Sequence, residues 1–337
     1  MRMHITIVYN KPVSSYYSGT GEDEAVKGVV TEAAAVKKAL LESGYQIACI
    51  PLSLPFEAAG EILGKLKTNL VFNLFEGFPG YPETEADICQ VLTNVGIPYT
   101  GCPPHALRLA LNKAETKSLF KAGKIDTPDF QLLTPGTLSG FNLKFPCIIK
   151  PNSEDASHGI TEDSVVNDFH ELETQIKKVV TQYRTGEALV EEYIDGREFN
   201  TTVTGNKEKQ ALAISEIEFS LPPGFPSIIT YAGKWEVESR YYKGTKPVCP
   251  AQVTENEKQK IIETAEKACT ITGCRGYARV DMRMDKQGRI YVLEVNPNPD
   301  ISPDSGAALQ AKTFGMTYTE FIRSIVLLAM EDKSSGG

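Results

Sequence analysis

Two stretches near the C-terminus gather the residue types that hold a divalent cation beside a phosphate. Tyr277-Ala-Arg279-Val-Asp281-Met-Arg283 runs through the turn Asp285-Lys-Gln-Gly288 into Tyr291-Val-Leu-Glu294-Val-Asn296-Pro297. Both read as β-strands. Side chains alternate between the faces of a strand, so Arg279 shares a face with Asp281, and Glu294 shares one with Asn296. With Met284 paired to Arg289 across the turn, Asp281 lies opposite Val292 and Arg279 opposite Glu294, which merges the two sets into one polar surface. Two carboxylates and an amide oxygen are hard ligands suited to magnesium, which completes its octahedron with water and nucleotide phosphates. A surface ion-pair ladder would use the same charges, but it gives no reason for Asn296 to open a Pro-rich loop.

Other motifs fail on their spacing. Gly60-x-x-x-Gly64-Lys65 has one residue too few between its glycines for a phosphate-binding loop and lacks the Ser or Thr that holds magnesium, so it reads as a helix end. Gly19-Thr-Gly21 is not a dinucleotide fingerprint, because the next glycine is Gly28; it reads as a substrate loop at the carboxyl end of a first strand.

The elements that must position these residues follow from periodicity. His4 to Tyr9, Tyr45 to Ile50, Leu70 to Leu74 and Ile97 to Tyr99 read as strands, with helices at Glu24 to Glu42, Phe56 to Lys67 and Thr84 to Val95 between them. That alternation predicts a parallel, Rossmann-like sheet over residues 1–103. A small α+β unit follows over 104–186, with the strand Phe145 to Lys150 and a helix whose apolar stripe is Phe169, Leu172, Ile176, Val179, Val180 and Tyr183. Residues 187–333 read as a largely antiparallel sheet with flanking helices. It includes Ala188 to Ile194, and two capping boxes, Thr254-x-x-Glu257 and Thr317-x-x-Glu320, open its helices. The fold class is therefore α/β with an α+β C-terminal part.

Composition excludes several classes. With 35 Lys+Arg against 43 Asp+Glu the net charge is -8, which repels a phosphate backbone, so nucleic acid is not an expected partner. No apolar run approaches the roughly 20 residues of a membrane span, and the N-terminus alternates like a strand rather than a signal peptide, so a cytoplasmic location is expected. Seven cysteines without a Cys-x-x-Cys argue against a disulfide framework or a zinc site.

In order and spacing, Asn112-Lys113, Ile148-Ile-Lys150-Pro, Glu191-Glu-Tyr-Ile194 with Glu198, Arg279-x-Asp281 and Glu294-x-Asn296-Pro resemble the ATP-grasp ligases, most closely the D-alanine:D-alanine ligase group. The resemblance spans residues 1–330 and implies an ATP-grasp fold. It implies that Lys113, Lys150 and Lys234 face the phosphates, with the loop Asn152 to Ile160, including Ser157, closing over them. It also implies that the backbone of Glu191, Glu192, Tyr193 and Ile194 reads adenine, and that Glu198 meets the ribose. Two magnesium ions, replaceable by manganese, fall to Asp281, Glu294 and Asn296, and Arg279 to the oxyanion of the second step. Arg279 and Lys150 are the expected catalytic groups.

The amino-acid side departs from that group. Its Gly-Gly-x-Ser-x-Glu loop is absent after the first strand, where Glu22, Asp23 and Glu24 stand in a longer segment. Glu76 replaces a histidine, and Asp300 replaces a glycine of the acceptor pocket that Ser305 also borders. Ala156 and Trp235 occupy the positions of a serine and a tyrosine that latch the phosphate-covering loop. A methyl group donates no hydrogen bond and an indole only donates, so that latch cannot form in the same way. The expected protein is an ATP-dependent carboxylate–amine ligase, a homodimer, that joins small amino-acid-like substrates other than a D-alanine pair. A true D-alanine:D-alanine ligase and a non-catalytic ATP-binding regulator are the alternatives.

Overall fold

Short alternating segments build the first sheet. β1 (His4–Asn10) lies between β2 (Gln46–Leu52) and β3 (Leu70–Leu74), all parallel. The computed structural model describes residues 3–11, 24–154, 157–183 and 186–334. β3 is buried along its whole length, which is why its five residues are apolar or, in Asn73, hydrogen-bonded, the backbone N–H donating to Thr100 Oγ1 and the side-chain Nδ2 to Cys89 Sγ. The expected fourth strand is only an isolated pairing of Val71 with Tyr99, because Pro98 brings no N–H to a ladder. α1 (Glu24–Glu42), α2 (Phe56–Gly64) and α3 (Thr84–Asn94) cover the sheet.

The second sheet is antiparallel, in the order β4-β7-β5-β6, from β4 (Phe130–Leu133), β5 (Cys147–Pro151), β6 (Val165–Val166) and β7 (Ala188–Glu192). It is preceded by α4 (Pro104–Leu111) and α5 (Lys113–Ala122) and covered by α6 (Phe169–Tyr183). The α6 stripe buries Leu172, Ile176, Val179 and Tyr183, while Phe169 at its start stays 46% exposed. β7 pairs with β4 and β5, so the stretch assigned by sequence to the third unit belongs to the second sheet, and the chain leaves that sheet after residue 192 rather than 186.

The third sheet runs β10-β9-β8-β11-β12, from β8 (Gly196–Thr204), β9 (Gln210–Phe219), β10 (Thr245–Val248), β11 (Tyr277–Asp285) and β12 (Ile290–Asn296). α7 (Tyr231–Trp235) packs on α8 (Arg240–Gly244), which lies against β10, and α9 (Glu255–Ile271) backs the sheet. Both capping boxes form: Thr254 with Glu257, and Thr317 with Glu320 ahead of α11 (Tyr318–Ser334). α10 (Gly306–Phe314) lies on β9 and β8, but α11 returns to the first unit, where Phe321, Ile322 and Ile325 share a core with Ile5, Ile7 and Val36. A second core joins Val8, Leu52 and Val71 to Phe199, Val280 and Met282, so the first and third units are packed together. All seven cysteines are free thiols, and no described helix is long and apolar enough to cross a membrane.

Candidate active site

The β11–β12 hairpin carries the central charges, in a register the sequence did not give. The turn pairs Met284 with Ile290 rather than Arg289, and a β-bulge follows Asp281; together these two one-residue shifts put Asp281 opposite Glu294 rather than Val292, and Arg279 opposite Asn296 rather than Glu294. One extra residue on β12 shifts every pairing beyond it and turns both carboxylates onto one face. On the other side of β11, Asp281 pairs with Asn200 and Arg283 with Glu198, so the polar face extends over three strands. Gln310 on α10 secures its far edge, donating to Asn200 Oδ1 at 2.7 Å and accepting the Thr202 N–H at 2.7 Å.

Arg279 holds Asp281 through two hydrogen bonds of 2.7 Å, Nε to Oδ1 and Nη2 to Oδ2. Burial pushes the Glu294 carboxyl up, but Lys113, Lys150, Arg279 and Lys234 bring it down to about 2. These four cations come from α5, β5, β11 and α7, so the site is assembled from the second and third units of the chain. Lys113, at the first turn of α5, is 3.8 Å from Glu294 Oε2. Asn296 Oδ1 accepts the Asn298 N–H at 2.9 Å; Asn298 in turn donates to Phe75 O and Glu85 Oε1, which ties the loop after β12 to the end of β3.

The nucleotide-side candidates lie along β5 and β7. Lys150 is the penultimate residue of β5, with Nζ 2.9 Å from Glu191 Oε2. Glu192 turns away: its side chain accepts the Lys144 N–H at 3.1 Å. The N–H groups of Glu192 and Tyr193 are bound to Asp129 O and Pro146 O, both at 2.9 Å, whereas the Ile194 N–H has no acceptor among the described residues. Glu198, expected at the ribose, is buried and gives Oε2 to Arg283 at 3.0 and 2.7 Å, which leaves Oε1 for a further donor. Ser157 adopts a left-handed φ of 64° in the loop after β5. Gly159 follows it with φ 77°, where a Cβ would come 2.7 Å from Pro151 Cγ, so the loop can fold back on the end of β5 only with glycine there. The Tyr231 N–H binds Ile160 O at 3.0 Å and its ring stacks on His158 at 5.5 Å, which joins this loop to the helix that bears Lys234. The Trp235 indole N–H has no hydrogen-bond partner among the described residues, and Ala156 lies outside them.

Of the substrate-side candidates, Glu22 lies outside the described residues. Glu76 is exposed at the end of β3, its N–H bound to Asn10 Oδ1 at 2.8 Å. Asp300 is exposed and accepts both the N–H and the hydroxyl of Ser302. Ser305 caps α10, accepting the Ala308 N–H at 3.2 Å, so its oxygen serves the helix. A residue not singled out from sequence, Glu32 on α1, joins Glu76 and Asp300. It is 4% exposed, accepts the Ile301 N–H at 2.8 Å, and is raised well above the usual carboxylate range by burial and then by those two charges. Two buried cations were also missed. Lys117 ion-pairs with Glu191, and Arg283 holds Glu198 while donating to the carbonyls of Ile194 and Ser227. Lys117 had a signal, one helical turn after Lys113; Arg283 had one too, two residues along the strand from Asp281.

Residues 121–327 match the family model described as D-ala D-ala ligase C-terminus. An uncharacterized protein of Sinorhizobium fredii, y4sG, is 34% identical over 265 residues, 78% of this chain and 75% of that one. The D-alanine–D-alanine ligase of Carboxydothermus hydrogenoformans is 30% identical over 310 residues, 89% of this chain and 92% of its own. Among solved structures, a D-alanine–D-alanine ligase of Bacillus anthracis superposes over the full length of both chains with a TM-score of 0.77 at 20% identity. The VanG D-Ala:D-Ser ligase of Enterococcus faecalis gives 0.77 at 22%, over 98% of this chain and all of the other. At those two identities the likeness is one of fold.

Proposed function

Because this chain belongs to the D-alanine–D-alanine ligase family of ATP-grasp, ATP-dependent ligases, we propose that it joins a carboxylate to an amine of small amino-acid-like substrates, other than two D-alanines. The observation that carries this reading is the convergence of Lys113, Lys150, Lys234 and Arg279 on Glu294, directly opposite Asp281. Cations in excess beside paired carboxylates suit a polyphosphate bridged to a divalent ion.

The oxygen set fits magnesium. Each Asp281 oxygen accepts one N–H from Arg279 and keeps a lone pair, as does Asn296 Oδ1, so Asp281, Glu294 and Asn296 are the residues that would hold it. Magnesium bound there supplies charge neutralisation at the transferring phosphoryl group. Lys113, Lys150 and Lys234 hold the phosphates, the Ile194 N–H faces the adenine edge, and Glu198 Oε1 accepts from the ribose. A substrate carboxylate oxygen bonds to the γ-phosphorus as the bond to the β-phosphate oxygen breaks and ADP leaves. The second substrate's amine then bonds to the acyl carbon and phosphate departs. Arg279, drawn from Asp281, stabilises the oxyanion between those events.

The substrate reading rests on the carboxyls at the far end. Glu76 and Asp300 lie beside Glu32, close enough for their charges to raise it, where a pocket for a substrate carboxylate would need neutral or cationic groups. ADP release screened over pairs of amino acids of both chiralities, with mass analysis of products, tests it. A pair other than D-alanine with D-alanine gives the highest kcat/KM; if D-alanine wins, the specificity reading is wrong, and if no pair releases ADP, the ligase reading is.

A further inference from the structure

Lys117 has no part in the scheme above, yet it is the most enclosed cation of the site. It lies one turn beyond Lys113 on α5 and is 1% exposed. Its Nζ is 3.0 Å from Glu191 Oε1 and 2.9 Å from Thr127 Oγ1. Glu191 is also 1% exposed, and its other oxygen takes Lys150 at 2.9 Å. Thr127 donates in turn to the Val292 carbonyl at 2.8 Å, which fastens the cluster to β12 two residues before Glu294.

The charge count decides what this cluster can do. One carboxylate between two ammonium groups leaves one positive charge in excess. Without Lys117, Glu191 and Lys150 balance each other, and an incoming phosphate must break that buried pair to reach Lys150. We propose that Lys117 is a positioning residue, the buried counter-charge of Glu191 that frees Lys150 to pair with the nucleotide phosphates. This rests on the reading of Lys150 as a phosphate contact.

A purely structural need at such a position is met as well by an apolar side chain of the same volume, since desolvating an ammonium is costly. The groups that face Lys117 are Glu191 on β7, Lys150 on β5 and Glu294 on β12. Burial pushes Lys117 down to about 8 against the pull of Glu191, with Lys150 adding to the push and Glu294 to the pull. When phosphate draws Lys150 away, Glu191 is left to Lys117, which then holds its proton more tightly. Binding of ATP above pH 8 therefore takes up protons at Lys117, and binding of adenosine does not.

Calorimetric binding of magnesium-ATP and of adenosine to wild type, Lys117→Met and Lys117→Met/Glu191→Gln tests this. In Lys117→Met, affinity for ATP falls about 10- to 100-fold relative to adenosine, the size of a charge-assisted hydrogen bond. The double variant, which restores the excess charge on Lys150, regains most of that loss. At pH 8.5, wild-type binding enthalpies in two buffers of different ionisation enthalpy report proton uptake with ATP and none with adenosine. The proposal is overturned by a folded Lys117→Met that keeps the wild-type ratio, or that loses both ligands alike, or by a double variant without recovery. Should Lys117→Met not fold, equal proton uptake for the two ligands overturns it. A wild type that binds ATP no tighter than adenosine overturns the Lys150 reading as well, whereas a preference kept in Lys117→Met overturns this proposal alone.

Discussion

Glu294→Gln removes one negative charge from among four cations while changing almost nothing in volume. Burial pushes the Glu294 carboxyl up, but Lys113, Lys150, Arg279 and Lys234 bring it from an ordinary 4.5 to about 2. That gap corresponds to about 3.4 kcal/mol of stabilisation at neutral pH. The side chain is 34% exposed, and solvent screening reduces the figure to about 1.5 kcal/mol. Because the folded-state pKa is depressed, the stabilisation is complete above the unfolded value and is lost as pH falls toward about 2. Urea unfolding without nucleotide should therefore find the variant less stable by about 1.5 kcal/mol at pH 7, with the difference shrinking as pH falls below the ordinary value of 4.5. Magnesium-dependent ADP release should be lost in the same variant. Equal stability at pH 7, or a difference that widens as pH falls, refutes the electrostatic reasoning; near-normal turnover in the folded variant refutes the metal assignment.

Lys150→Ala should lower affinity for ATP by about tenfold or more while leaving adenosine binding intact, measured by equilibrium titration; an unchanged ratio places Lys150 away from the phosphates. Glu198→Gln leaves Arg283, 3% exposed, without its carboxylate. It should cost about 3–5 kcal/mol in denaturant unfolding, whereas joint replacement of both residues by leucine costs far less. We propose a homodimer through the first unit, where Val30, Leu41, Leu54 and Ile62 are large apolar side chains each at least 41% exposed. Light scattering at micromolar concentration should give twice the chain mass, and a monomer mass removes the reading.

The sequence by itself determined what depends on neighbours along the chain. The bounds of α1 and β3, the capping boxes at Thr254 and Thr317 and the α6 stripe from Leu172 to Tyr183 are local patterns, and each formed where periodicity or capping chemistry placed it. The ordered motifs from Asn112 to Asn296 likewise identified the ligase family, because the backbone geometry they serve repeats wherever the motifs do. Tertiary structure alone decided which residues meet across the chain. The bulge after Asp281 cannot be counted from a turn, since one unpaired residue costs little locally and is chosen by packing on both faces of the sheet. The membership of β7 in the second sheet and the return of α11 to the first unit depend on which apolar faces remain uncovered once the other elements are in place. Lys117 and Arg283 carry in sequence only their spacing from Lys113 and Asp281, and Glu32 carries no signal at all. They become parts of the site only because folding removes them from water beside groups distant in the chain, and burial makes each charge depend on those partners.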